Sequence, residues 1–283
     1  MITLEVIPDR VNPTELSLLR GRVDAITIPA LRNESGDPSY PDRFHVTPQQ
    51  RSIACAFLVK RLGLEAVASV TCRDCRKDEL QNLSRLGVER LENVLAVYGD
   101  PCGPGRDVYE FSTTDQLIRD ITSNCESMSV GAITNQYARS RESEVQRTLS
   151  RVDAGADFVL TNTVLDEDLV LEHRDGLLSA GLDVPLLFQV SIPHSLENLL
   201  YVSRKFRIPV PERLARRFGR ASLTGIEFAA GMFESLKTEA NGVHFSYLLR
   251  RRDPIQVYSR LLDRIRAERV PLSVPARIAQ MVR

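Results

Sequence analysis

The chain has 283 residues, 43% of them hydrophobic and 26% charged, with 37 basic and 37 acidic side chains and a formal net charge of zero. That length suits one large α/β domain or two smaller ones, and the charge balance gives no support to a nucleic-acid or anionic-membrane partner. No apolar run approaches the roughly 20 residues that span a bilayer, "MITLEVIPDR" lacks the layout of a signal peptide, and five cysteines do not resemble a disulfide framework, so a reduced, cytoplasmic setting is expected.

Short β-rich runs alternate with amphipathic segments along the chain. The expected strands are 2–7, 23–28, 66–71, 93–97, 129–133, 157–161, 185–190 and 243–247. The expected helices are 47–62, 76–86, 114–124, 140–154, 166–180, 194–206 and 221–240. Thr47-Pro48 reads as an N-cap followed by proline in the first turn. Gly63, Gly87, Gly155 and Gly181 each follow a helical segment, where a left-handed residue ends a helix. About 15 residues separate the first two strands, leaving room for only one or two helical turns.

Repeated β-then-α units imply parallel strands with right-handed crossovers. Eight of them fit a (β/α)8 TIM barrel filling residues 1–283 as a single domain with C-terminal helices. An open doubly wound sheet is disfavoured because "EVIPDRVNP" carries no GxGxxG.

In a barrel the functional groups sit at the C-terminal strand ends. Those ends read Glu5, Thr27, Thr71-Cys72, Gly99-Asp100, Thr134-Asn135, Asn162, Gln189 and the Tyr247–Arg250 region. Glu5 interrupts an apolar strand, where an unpaired carboxylate is costly to bury; its pKa should rise, which suits a general acid. A salt-bridged glutamate is the plainer alternative. Asp100 follows Gly99 and precedes Pro101, which is good turn chemistry, but it also presents a carboxylate beside a strand end. Cys72 and Cys75 form a lone CxxC with Cys102 after the next strand; packing is the simpler account, and no metal site is expected. The histidines at 45, 173, 194 and 244 are scattered, and His244 reads as a core residue. "RKFRIPVPERLARRFGR" (204–220) reads as a solvated basic helix face, with an anion-holding role as the alternative.

Several segments resemble the methylenetetrahydrofolate reductase family. "GLEAVASVTCRDCRKDELQNLSRLGVERLENVLAVYGD" (63–100) is similar to that family's "HLTC" strand, "DEL" helix and "ALRGD" strand end. "RVDAGADFVLTN" (151–162), "SAGLDVPLLFQVSIPHS" (179–195), "RIPVPERLARRF" and "GVHFSYLLRR" follow in the family's order. The resemblance implies a barrel that reduces methylenetetrahydrofolate to methyltetrahydrofolate with NAD(P)H, typically through FAD.

Residue by residue, it implies Glu5 as the general acid that opens the folate's five-membered ring, and Asp100 as the carboxylate balancing the resulting cation. Asn162, standing where the family has glutamine, Gln189 and Arg250 are the implied substrate contacts. Thr27, Ser69, Tyr98, Gly99, Glu144, Arg147 and Arg151 fall on the cofactor side. There the chain departs from the pattern. Ser69 replaces a histidine, Tyr98 replaces the arginine of "ALRGD", and "ITNQYARSRE" (133–142) replaces the flavin loop "YPExHPE". Glu144, Arg147 and Arg151 replace Asp, Asn and Lys. FAD is therefore open: either the flavin site is remodelled, or hydride passes directly from NAD(P)H. The competing function is a folate-binding or methyl-handling protein without reductase activity. A tetrahydrofolate-type small molecule is the expected partner, with oligomeric state, homo-oligomer or partner subunit, left open.

Overall fold

The computed structural model describes residues 1–8, 12–31, 47–80, 83, 85, 91–100, 109–247 and 254–267. Eight parallel strands close into a barrel in chain order: β1 (Ile2–Glu5), β2 (Ala25–Ile28), β3 (Ala66–Thr71), β4 (Asn93–Val97), β5 (Ser129–Thr134), β6 (Phe158–Thr161), β7 (Leu186–Ser191) and β8 (Gly242–Ser246). Barrel closure comes from β8 pairing with β1, Val243 opposite Ile2 and Phe245 opposite Leu4.

Among the described residues the helices are α1 (Pro13–Leu16), continued by a 3-10 turn at Ser17–Leu19, α2 (Pro48–Arg61), α3 (Thr114–Asn124), α4 (Arg141–Asp153), α5 (Glu167–Ser179), α6 (Leu196–Phe206), α7 (Glu212–Gly219), α8 (Gly225–Leu236) and α9 (Pro254–Ala267), while the expected helix at 76–86 falls partly outside the described residues. The short first crossover matches the room the sequence leaves for it. Thr47 caps α2 as expected: its hydroxyl accepts from the Gln50 N–H at 3.2 Å, and the Gln50 side chain returns the bond to the Thr47 N–H at 2.9 Å. Three of the four expected helix-ending glycines, Gly63, Gly155 and Gly181, have positive φ; Gly87 lies outside the described residues. The β7-to-β8 connection holds three helices where a minimal barrel needs one, so α6 and α7 form an excursion that starts at the C-terminal end of β7.

Strand alternation sorts side chains into two layers. Ile2, Leu4, Ile26 and Ile28 face the helices and join one apolar layer with Ala56, Val59 and Leu199. Ala25, Val67, Leu95, Phe158, Leu160 and Leu187 fill the barrel axis. Gly131 is required by that axis: a Cβ there would lie 2.2 Å from the Phe158 ring. Polar side chains of α2 tie β2 and β3 together. Ser52 donates to the Ile28 carbonyl at 2.6 Å and accepts from the Ser69 N–H at 2.9 Å, while Gln49 accepts from the Thr71 N–H at 2.8 Å. Among the described residues, no helix is long and apolar enough to cross a membrane.

Candidate functional site at the barrel mouth

Glu5 ends β1 on the axis-facing side, two residues beyond Thr3 and opposite Thr27 in the ladder. Its backbone carbonyl accepts a 2.6 Å hydrogen bond from the Tyr258 hydroxyl of α9. Tyr247, just past β8, packs edge-on against Tyr258 with ring centroids 6.4 Å apart. Burial pushes the Glu5 carboxyl up to about 7, with the Lys205 ammonium of α6 pulling the other way. A carboxyl poised there exchanges a proton readily at neutral pH.

The ends of β3 and β4 meet in a buried ion pair that the sequence reading passed over. Arg73 is 1% exposed and Asp74 6%. The guanidinium grips the carboxylate in a two-bond fork, Nε to Oδ1 at 2.7 Å and Nη2 to Oδ2 at 2.6 Å. Its remaining nitrogen donates to the backbone carbonyl of Asp100 at 2.7 Å. The Gln49 N–H caps Asp74 Oδ2 at 3.2 Å. Arg73 and Asp74 stand inside the CxxC, one residue past the fully buried β3, and an adjacent Arg-Asp at that position is the signal the sequence offers for them. The thiols themselves are packing groups. Cys72 and Cys75 join a buried apolar cluster, where burial pushes them up to about 11 and about 12. Cys102 lies outside the described residues.

Gly99 takes φ 86°, and a Cβ there would lie 3.0 Å from the Arg73 Cβ, so the turn carrying Asp100 closes directly onto the ion pair. Asp100 is exposed at the rim. Tyr98, 52% exposed, stacks at 5.2 Å between centroids on Tyr109, whose hydroxyl donates to the Gly99 carbonyl at 3.1 Å.

On the β5 side, the structure brings Glu144, Arg147 and Arg151 of α4 into one network. Buried Glu144 accepts from the Asn135 N–H at 3.0 Å and from Arg147 at 2.6 Å. Arg151 donates to the Ile133 carbonyl and lies 3.6 Å from Glu144 and 3.7 Å from Asp115. Asn162 sits beside Asn135, its amide 3.4 Å from the Asn135 oxygen, while its own oxygen accepts from the Thr163 N–H at 2.7 Å. Gln189 reaches Ser246 at 3.3 Å, and Ser246 continues through Ser191 to Thr163. Ser69 and Thr27 are buried below the rim. Arg250 lies outside the described residues.

A cavity of about 40 Å³ lies lower on the axis, between Thr3, Thr27, Val67, Leu95, Leu160 and His244. It extends toward the strand starts, at Ala25 and Asn93, so it is a packing gap on the side away from the mouth. His244 is buried there and bonds Thr3 at 2.8 Å, as a core histidine does.

The family model for methylenetetrahydrofolate reductase matches residues 43–262. The chain is 26% identical over 201 residues to the 5,10-methylenetetrahydrofolate reductase of Escherichia coli (strain K12), covering 68% of each chain. It is 28% identical over 130 residues to that of Salmonella typhimurium, covering 45% of this chain and 44% of the relative. Among solved structures it superposes with a TM-score of 0.66 on a Clostridium thermocellum protein that binds two copies of 5-methyl-5,6,7,8-tetrahydrofolic acid, at 15% identity over 94% of this chain and 95% of that one.

Proposed function

The chain belongs to the methylenetetrahydrofolate reductase family, and on that premise we propose that it reduces 5,10-methylenetetrahydrofolate to 5-methyltetrahydrofolate with a nicotinamide nucleotide as hydride donor. The observation that carries this reading is Glu5, a carboxyl at the barrel mouth whose burial lifts it to about 7. A pure folate binder has no use for an acid poised at neutrality. That the Clostridium thermocellum barrel binds a methylated tetrahydrofolate supports a folate in this mouth.

Protonated Glu5 donates its proton to N10 of the substrate, and the C–N10 bond breaks to leave a cationic N5 iminium. Asp100, held through its carbonyl by Arg73, presents a carboxylate that balances this charge. Hydride then adds to the iminium carbon, completing the methyl group. Asn162 and Gln189 flank the opening with amides for the pterin edge, and Arg250 follows β8 in the sequence as a contact for the rest of the folate.

FAD, the family's customary carrier, finds a poor match in the α4 residues. Glu144 has both oxygens engaged, and Arg151 is turned onto Ile133, Asp115 and Glu144. This supports direct transfer from the nicotinamide. We read residues 1–283 as one barrel domain with C-terminal helices serving this site.

The test is a visible spectrum of the purified protein, followed by an assay of NADH or NADPH oxidation with 5,10-methylenetetrahydrofolate. Nucleotide oxidation matched by 5-methyltetrahydrofolate, without flavin bands, is the expected result. Stoichiometric flavin absorption would restore the carrier, and no folate-dependent oxidation would overturn the reductase reading.

A further inference from the structure

We propose that Ser246 is a positioning residue for Glu5: a buried arc of three hydroxyls, ending at Ser246, supplies the hydrogen bond that the Glu5 carboxylate needs once its proton has left. The role in turnover rests on the reading above of Glu5 as the acid.

Strand register sets the two residues side by side. Thr3 pairs with His244 and Leu4 with Phe245, so Glu5 and Ser246 come one step further along the same two strands. Thr3 Oγ1 and His244 Nδ1 meet at 2.8 Å, so those side chains share a face of the barrel. Two residues on, alternation returns Glu5 and Ser246 to that face as lateral neighbours.

The arc itself is closed to solvent. Thr163, Ser191 and Ser246 are 1%, 3% and 0% exposed. The Thr163 and Ser191 hydroxyls lie 3.0 Å apart and those of Ser191 and Ser246 2.9 Å, while the Gln189 amide donates to Ser246 at 3.3 Å. Each hydroxyl has one hydrogen to give and two lone pairs to receive. Three hydroxyls therefore bring three hydrogens to two hydroxyl–hydroxyl bonds, and one hydrogen is left over. If Thr163 donates to Ser191 and Ser191 to Ser246, the spare hydrogen belongs to Ser246, whose lone pairs are filled by Ser191 and Gln189. With both bonds reversed it belongs to Thr163. Rotation of the hydroxyls, without displacement of any heavy atom, moves the spare donor from one end of the arc to the other.

Glu5 is where such a donor is wanted. Its carboxyl has no hydrogen-bond partner among the described residues, and a carboxylate buried without a donor is costly. The groups facing it are Thr27 across β2, Lys205 of α6, and Tyr258 of α9 with Tyr247 packed on its ring. The Tyr258 hydroxyl is committed to the backbone carbonyls of Glu5 and Phe245. Lys205 acts on Glu5 through its charge. Thr27 lines the lower cavity, on the side away from the mouth. Ser246 is the neighbour whose hydrogen a bonded chain behind it can release toward the carboxylate.

The test is an NMR titration of the glutamate carboxyl carbons in the full chain, with Glu5 identified as the resonance lost in Glu5→Gln. The parent is compared with Ser246→Ala, Ser246→Cys, Ser246→Thr, Ser191→Ala and Thr27→Val, and kcat and KM for 5,10-methylenetetrahydrofolate are measured on the Ser246 variants. Circular dichroism verifies folding. Removing a donor to the charged form raises a carboxyl's midpoint, so Ser246→Ala is expected to raise that of Glu5 by about one unit and to lower kcat about 10-fold, with KM within about 2-fold. Ser246→Cys fills the same space with a weak donor and should move the midpoint the same way. Ser246→Thr keeps the hydroxyl and should stay within about 0.3 unit of the parent. Ser191→Ala takes a buried hydroxyl out of the same arc but leaves the Ser246 hydrogen in place, so it too should stay within about 0.3 unit.

An unchanged Glu5 midpoint in Ser246→Ala and Ser246→Cys would overturn the inference. Equal rises in Ser246→Ala and Ser191→Ala would also overturn it, since loosened packing then accounts for both, as would a rise found in Thr27→Val instead. A Glu5→Gln protein that keeps the parent's turnover, while Ser246→Ala still raises the Glu5 midpoint, would leave the arc standing and remove only the acid role in the proposed function.

Discussion

The hydroxyl of Tyr258 donates to the backbone carbonyl of Glu5 at 2.6 Å, so the helix that follows the last strand fixes the end of the first. Tyr258 is fully buried, and removing its hydroxyl leaves that carbonyl without this donor. Tyr258→Phe is expected to lose about 1–3 kcal/mol of stability by urea denaturation. Because the bond positions the proposed acid, kcat should fall while folate affinity holds. Unchanged kcat would confine Tyr258 to a packing role.

Glu5 predicts a pH-dependent stability. Its carboxyl titrates near 7 folded against an ordinary 4.5 unfolded. Between those values the folded state binds more protons, so this group's contribution falls as pH rises and is fully lost above 7. Glu5→Gln removes the effect. The variant should match the parent near pH 4.5 and exceed it by about 2 kcal/mol at pH 8, allowing for partial solvent access. Denaturation at the two pH values checks this.

The Arg73–Asp74 pair predicts asymmetric mutational costs. Either Arg73→Met or Asp74→Asn strands a buried group, and each should cost about 3–5 kcal/mol. Replacing both, as Arg73→Met with Asp74→Leu, should recover part of that loss. Folding should return without full activity, since the Asp100 carbonyl still lacks its donor. Denaturation of the three variants with parallel rate measurements separates the two effects.

Gly131 and Phe158 predict a rescue. Gly131→Ala drives a methyl into the Phe158 ring and should cost about 1–3 kcal/mol. Combining it with Phe158→Leu should cost less than the sum of the single changes, as a double-mutant cycle would show.

The barrel was legible because parallel strands buried on both faces read as apolar runs and because helix caps are local chemistry. Thr47 to Gln50 and the glycines at 63, 155 and 181 state their geometry in a few residues. Glu5 was legible for the same reason: a carboxyl inside an apolar strand is anomalous without any structure. The Arg73–Asp74 knot was not, since its meaning depends on Gln49 and Asp100, 24 residues before Arg73 and 27 after it. The Tyr98–Tyr109 contact was hidden likewise. Its two residues lie eleven positions apart in the chain, and only the fold shows that their rings meet. The α6–α7 excursion was half seen, as a basic helical face without a place in the barrel.

The proposed acid chemistry of Glu5 is tested most directly by steady-state reduction of 5,10-methylenetetrahydrofolate by the parent and Glu5→Gln, with 5-methyltetrahydrofolate affinity measured on both. The predicted result is parent turnover that declines as pH rises through about 7. The variant's kcat should be lowered by about 10²–10⁴, with product binding kept within a few-fold. A Glu5→Gln enzyme that turns over at the parent's rate would contradict it.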